Sequence, residues 1–137
     1  MTAQPSRQGA VAVVLREGRF LVVRRSAAVV APGAFCFPGG GIEAGETEEQ
    51  AVVREFHEEL GATIVPVRRI WRSTTRWHVE LAWWLGDLAG DSTLIPNPTE
   101  VVSVHWLAPN EMLALAELLD SNRAFLKALD DGEIVIG

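Results

Sequence analysis

The sequence predicts an α+β domain, with short strands layered against a central helix and a terminal helix. Three observations carry that expectation. Apolar runs of about seven residues, rich in Val and Leu, recur at Gly9–Leu15, Arg19–Arg25 and Val101–Leu107. One segment, opened by Thr47 and closed by Gly61, has helix signals at both ends. A second helical stretch follows the last strand. The chain has 137 residues, 48% of them hydrophobic, which is one domain's worth of sequence with enough apolar surface for a core.

The elements follow in order. Residues 1–8 are polar and read as a flexible N-terminus, leaving 9–137 as a single domain. Gly9–Leu15 is a continuous apolar run and reads as a buried strand. Glu17-Gly18 marks a turn into a second strand, Arg19–Arg25. Ser26–Phe35 is expected to be a loop, with Pro32-Gly33 inside it. Gly39, Gly40 and Gly41 suit a sharp bend or a close approach rather than a strand interior. Thr47 is an N-cap, and Gln50 three residues later completes a capping box. Gly61 stops the helix. Val53, Phe56 and Leu60 provide its apolar side. Thr63–Arg76 and Val79–Leu85 are extended, with a turn at Arg76-Trp77-His78. Gly86–Thr99 is rich in Gly, Asp, Asn and Pro and reads as a loop. Pro109 starts a helix that runs in two pieces to about Ala128 and ends before Asp130-Asp131-Gly132.

Composition narrows the function. A formal net charge of −6 argues against a nucleic-acid polymer as partner, because such proteins neutralise phosphates with Lys and Arg. A small anionic substrate stays open, since a metal ion or a few arginines supply positive charge locally. The single cysteine, Cys36, excludes an internal disulfide and fits a reducing compartment; it reads as a packing residue. Residues 1–8 do not resemble a signal peptide, and no apolar run approaches the roughly 18 residues of a membrane span. A cytoplasmic location without membrane attachment is expected.

The chemistry is concentrated in the capped helix. Glu55, Glu58 and Glu59 are spaced i, i+3, i+4 and share one face. Three neighbouring carboxylates repel one another. A hard divalent cation such as Mg²⁺, or Mn²⁺, takes oxygen-only ligands of this kind. Read alone, such a cluster is usually an ordinary solvated helix face.

The wider spacing points further. Gly40 is followed after five residues by Glu46, after seven more by Arg54-Glu55-Phe56, then by Glu58-Glu59 and by Gly61-Ala62. This resembles the Nudix box, G-x5-E-x7-R-E-U-x-E-E-x-G-U, at all seven fixed positions. Phe56 and Ala62 depart mildly at the two bulky aliphatic positions. The Phe37-Pro38-Gly39-Gly40-Gly41 entry, the strand ending Arg24-Arg25 and the Glu100…Trp106-Leu107 pattern also resemble the family. The resemblance spans roughly residues 9–130. It implies an α/β/α sandwich with a mixed β-sheet between helices. It also implies metal-dependent hydrolysis of a nucleoside diphosphate linked to another group. Glu55, Glu58 and Glu59 would be metal ligands, joined by the backbone carbonyl of Gly39. Arg54 would pair with Glu46 or Glu55 and hold a carboxylate in place. Glu58 and Glu100 are the candidates for general base.

Outside the motif the expectations are looser. Only one of Arg24 and Arg25 can face the site, and Arg25 is taken as the phosphate ligand. Strict alternation places Arg68, Arg72 and Arg76 on one strand face, either as a solvated surface or as a row for a polyphosphate or second subunit. Five tryptophans are present and no tyrosine. Trp77 or Trp83 is expected near a base, Trp106 in the core, and the tryptophan-rich strands are the place to look for a homodimer. Family subgroup signatures for ADP-ribose, diadenosine polyphosphates and coenzyme A are absent; Trp77 and Val29 occupy two of the diagnostic places. The expected reaction is therefore conversion of a (deoxy)nucleoside triphosphate to monophosphate and pyrophosphate. Two alternatives are a non-catalytic nucleotide-sensing module, which the intact glutamates oppose, and action on an RNA 5′ end, which the net charge opposes.

Overall fold

The structure is a computed structural model that describes residues 7–90 and 92–136. Most of the N-terminal expectation (1–6) lies outside the described residues. Arg7 and Gln8, however, belong to the first strand, β1 (Arg7–Val13), because they pair in parallel with Val79 and Glu80. Strands β2 (Leu15–Arg16) and β3 (Arg19–Arg25) form a hairpin around Glu17-Gly18, both at positive φ. Strands β4 (Phe35–Cys36) and β5 (Gly39–Gly41) follow, then helix α1 (Glu48–Leu60). Strands β6 (Ile64–Thr74), β7 (Val79–Leu88) and β8 (Val101–Leu107) precede helices α2 (Pro109–Leu113) and α3 (Asp120–Asp130).

Two sheets form. The first is mixed, in the order β5-β1-β7-β6, with β1 and β7 parallel and the other pairs antiparallel. In the second, β3 pairs antiparallel with β2, β4 and β8. Apolar side chains alternate into two cores on opposite faces. Ala10, Ala12, Val14, Leu21 and Val23 meet Ala51, Val52, Phe56 and Leu60 of α1. Val11, Val13, Phe20 and Val22 meet Met112 of α2 and Phe125 and Leu126 of α3. Strands buried on both faces need apolar residues at every position, which is why β1 and β3 read as continuous runs.

Three further expectations change. The glycines at 39–41 do form a strand, β5, at the sheet edge, where it needs a partner on one side only. A Cβ on Gly39 would overlap the Ala10 carbonyl, so the glycine allows the close pairing. β7 extends to Leu88, because Gly86, Asp87 and Leu88 pair with Pro66, Val65 and Ile64. On α1 the buried residues are Ala51, Val52, Phe56, Glu59 and Leu60, with Val53 only half-buried. The acid face is therefore turned partly inward. Capping is as expected: Gln50 N–H donates to Thr47 Oγ1, and Thr47 N–H to Gln50 Oε1. Gly61 adopts the left-handed conformation with φ 62°.

Candidate active site

Two carboxylates of α1, Glu55 and Glu59, line a pocket of about 150 Å³, together with Val23, Arg25, Gly39, Gly40 and Glu100; Glu58 is not among its lining residues. Their environments differ. Glu59 is buried, at 7% exposure, and its Oε1 accepts from Gly39 N–H at 3.0 Å. Burial pushes its pKa up to about 8; the Gly39 bond opposes the rise, and Glu55 and Glu100 add to it. Glu55 is also raised, first by burial and against the pull of Arg54, with Glu58 and Glu100 contributing. Glu58 is exposed. Gly40 is the floor beneath Glu55: any side chain there would overlap its carboxylate.

Arg54 organises the acid cluster. Its Nε and Nη2 donate to Glu46 Oε2 and Oε1 at 2.7 and 2.9 Å. This is a bidentate pair. Nη1 reaches Glu55 Oε1 at 3.0 Å and Glu58 at 3.4 Å, while Nη2 also donates to Gly41 O at 2.9 Å. The Arg54 bond, helped by Glu43 N–H, holds the Glu46 carboxyl down at about 2. Glu46 thus fixes the guanidinium, and the guanidinium reaches both Glu55 and Glu58.

Two residues from outside the helix enter. Arg25 lines the pocket, with Nε bonded to Val30 O at 2.6 Å and Nη1 4.0 Å from Cys36 Sγ. Arg24 points elsewhere, over the Phe35 ring. Glu100 also lines the pocket, and its Oε2 is buried with no hydrogen-bond partner among the described residues. A buried carboxylate oxygen left open beside Glu55 and Glu59 demands a cation or a proton.

Among the described residues no three acidic side chains already converge as a ligand set; Arg54 bridges Glu55 and Glu58 instead. The donors nevertheless suit a hard divalent cation. They are all oxygen, one is orphaned and buried, and Gly40 leaves room beside Glu55.

The other expected site residues lie apart. Trp83 is fully buried and stacks on Phe125, with Nε1 donating to Ser73 Oγ; a core tryptophan has no face left for a base, so that expectation is corrected. Trp77 is 74% exposed at the β6–β7 turn, under the Arg76 guanidinium, and is not among the residues lining the pocket. Trp106 is half-buried against the first core. The arginine row is also broken. Irregularities between Pro66 and Arg68 and between Arg69 and Trp71 disturb strict alternation. Arg68 bonds the carbonyls of Val135 and Ile136, Arg69 and Arg72 both bond Glu48, and Arg76 stacks on Trp77. Sequence reasoning missed Glu48. It accepts from Trp84 Nε1 at 2.8 Å and ties the first turn of α1 to β6 and β7. Its only sequence signal was an acid at a helix N-terminus. Cys36 is buried, and burial pushes its thiol up to about 11, as suits packing rather than nucleophilic attack.

The NUDIX domain model matches residues 5–129, nearly all of this framework. The chain belongs to the Nudix family. Among relatives, the CTP pyrophosphohydrolase of Escherichia coli is 42% identical over 106 residues, 74% of this chain and 76% of that protein. The 8-oxo-dGTP diphosphatase of the same organism is 47% identical over 57 residues, covering 41% of this chain and 44% of that one. The solved structure of the E. coli ORF135 protein superposes with a TM-score of 0.76 at 26% identity, over 91% of this chain and 89% of that one. The Nudix fold is thereby established. Other relatives are longer: the chain spans 37% of a NAD-capped RNA hydrolase of Stutzerimonas stutzeri. Among the described residues no helix is long and apolar enough to cross a membrane.

Proposed function

We propose that this Nudix protein is a metal-dependent pyrophosphohydrolase that converts a (deoxy)nucleoside triphosphate to the monophosphate and pyrophosphate. The observation that carries the reading is the acid cluster itself: Glu46 and Arg54 locked together, Glu55 and Glu58 held by the same guanidinium, and buried Glu59 and half-buried Glu100 facing one pocket. A binding module has no evident use for so many carboxyl groups gathered around a single guanidinium. The pocket, at about 150 Å³, is smaller than the roughly 300 Å³ of a typical small-molecule site. It fits the polyphosphate end of a nucleotide, with the nucleoside outside. The relative acting on CTP supports a triphosphate substrate.

Glu55, Glu58 and Glu59, with the Gly39 carbonyl, would hold Mg²⁺ or Mn²⁺. When bound, the ion neutralises the anhydride and makes water a better nucleophile at neutral pH. The chain's own residues do the rest. Arg54 keeps Glu55 and Glu58 in register. Arg25 exchanges its bond to Val30 for a phosphate oxygen. Glu58 or Glu100 accepts the proton of the attacking water. A P–O bond forms to water, the anhydride P–O bond breaks, and pyrophosphate leaves.

The test is a Mg²⁺-dependent phosphate-release screen with added pyrophosphatase, and with a separate alkaline phosphatase arm for substrates whose products are phosphate monoesters. The panel includes normal and oxidised nucleoside triphosphates, ADP-ribose, nucleotide sugars, diadenosine polyphosphates, coenzyme A and 5′-triphosphate RNA. A triphosphate as best substrate, with turnover lost in Glu58→Gln, is the expected result. Folded protein inactive on every member would point to a nucleotide sensor. Preference for the RNA would replace the small-molecule reading.

A further inference from the structure

The last turn of α1 carries Glu58 and Glu59, and its carbonyls need partners once the helix ends. Gly61 N–H takes His57 O, the ordinary cap. The remaining three are met from a distant segment. Asn97 Nδ2 donates to Glu58 O at 3.3 Å, Asn97 N–H to Glu59 O at 2.8 Å, and Ile95 N–H to Leu60 O at 2.7 Å. Asn97 thus bonds the backbone of both motif glutamates in that turn.

The same residue turns the chain toward Glu100. Its Oδ1 accepts from Thr99 N–H at 3.2 Å and Thr99 Oγ1 at 2.9 Å. Its carbonyl accepts from Glu100 N–H at 2.9 Å and Val101 N–H at 2.8 Å. Pro96 and Pro98 on either side fix φ and remove competing donors. Ser26 closes the far side, donating from N to Glu100 O at 2.9 Å and from Oγ to Thr99 O at 2.7 Å. The outcome is a Glu100 carboxylate delivered into the pocket beside Glu55 and Glu59, with one oxygen buried and without a hydrogen-bond partner among the described residues.

We propose that Asn97 is a positioning residue for hydrolysis: it clamps the helix end bearing Glu58 and Glu59 to the turn bearing Glu100, and so sets the Glu100 carboxylate in the reaction pocket. Both polar atoms of the Asn97 side chain serve this junction, and among the described residues no other side chain hydrogen-bonds both sides of it. The proposal rests on the hydrolase reading above.

The experiment is a double-mutant cycle on the intact protein, with Asn97→Ala, Glu100→Gln and the pair, reading kcat and KM on the best triphosphate with Mg²⁺. Melting curves are recorded alongside. Asn97→Ser, which keeps an acceptor for Thr99, is the milder second variant. Asn97→Ala is expected to lower kcat about tenfold or more, with KM changed less than about threefold. In the Glu100→Gln background the same change is expected to cost under about twofold, because the group it positions is gone. Asn97→Ser should recover part of the loss. An equal loss in both backgrounds would reduce Asn97 to a general helix cap and overturn the proposal. So would an undiminished kcat in Asn97→Ala, or a Glu100→Gln variant as active as wild type. A wild-type protein without turnover would instead defeat the hydrolase reading. In that event hydrogen exchange at the Glu100 and Val101 amides, unchanged by Asn97→Ala, would overturn the clamp separately.

Discussion

Glu59 is the residue on which burial and charge conflict most. Its folded pKa of about 8 stands above the ordinary value of 4.5. Between those two pH values the folded state keeps a proton that the unfolded chain has released. Stability therefore falls as pH rises from about 4.5 to about 8, and is flat for this group beyond. Protein stripped of divalent metal should lose thermal midpoint across that window, and Glu59→Gln should flatten the dependence; identical slopes would contradict the assigned environment. Arg54 offers a second test. Lysine keeps the charge but cannot span Glu46 in two bonds while reaching Glu55. Arg54→Lys should cost about 10–100-fold in turnover while melting near wild type.

At the scale of elements, β5 and α1 meet through glycines whose neighbours differ in kind. A Cβ on Gly39 meets the backbone of β1, which cannot yield, whereas on Gly40 it meets the end of the Glu55 side chain. Gly39→Ala should therefore destabilise by about 1–3 kcal/mol in urea unfolding. Gly40→Ala should stay folded and lose turnover as Glu55 is pushed aside. The reverse pattern would contradict the packing. These elements also show what could be read from sequence. The caps of α1 and the motif spacing are local signals, so Thr47, Gln50, Gly61 and the glutamates were legible as a group. Val53 was overvalued because periodicity fixes a face only to within about one residue. The arginine row failed because β-bulges carry no side-chain signature, and each one rotates everything after it. Asn97 and Glu48 act through the tertiary contacts of loops and strands, which spacing along the chain does not encode.

Across the whole molecule, aromatic residues divide between packing and surface in a way composition could not resolve. Trp83 lies between Phe37, Trp71 and Phe125 with no exposure. Trp77 stands outside at the hairpin turn. Trp83→Ala should cost about 3–5 kcal/mol. Trp77→Ala should stay within about 0.5 kcal/mol of wild type. Comparable losses at both positions would mean that the hairpin packs onto something this fold does not show. The two-core architecture itself was foreshadowed by the uninterrupted apolar strands, since only strands covered on both faces can afford them.

In the proposed reaction one acid cluster on α1, set against Arg25 and Glu100, hydrolyses a nucleotide anhydride with a divalent ion. The most direct measurement is product analysis of CTP and the other nucleoside triphosphates with Mg²⁺, for the wild type and for Glu58→Gln. Monophosphate and pyrophosphate are expected in equal amounts, dependent on the metal and lost in the variant. Release of diphosphate and orthophosphate, or turnover that survives both chelation and Glu58→Gln, would contradict it.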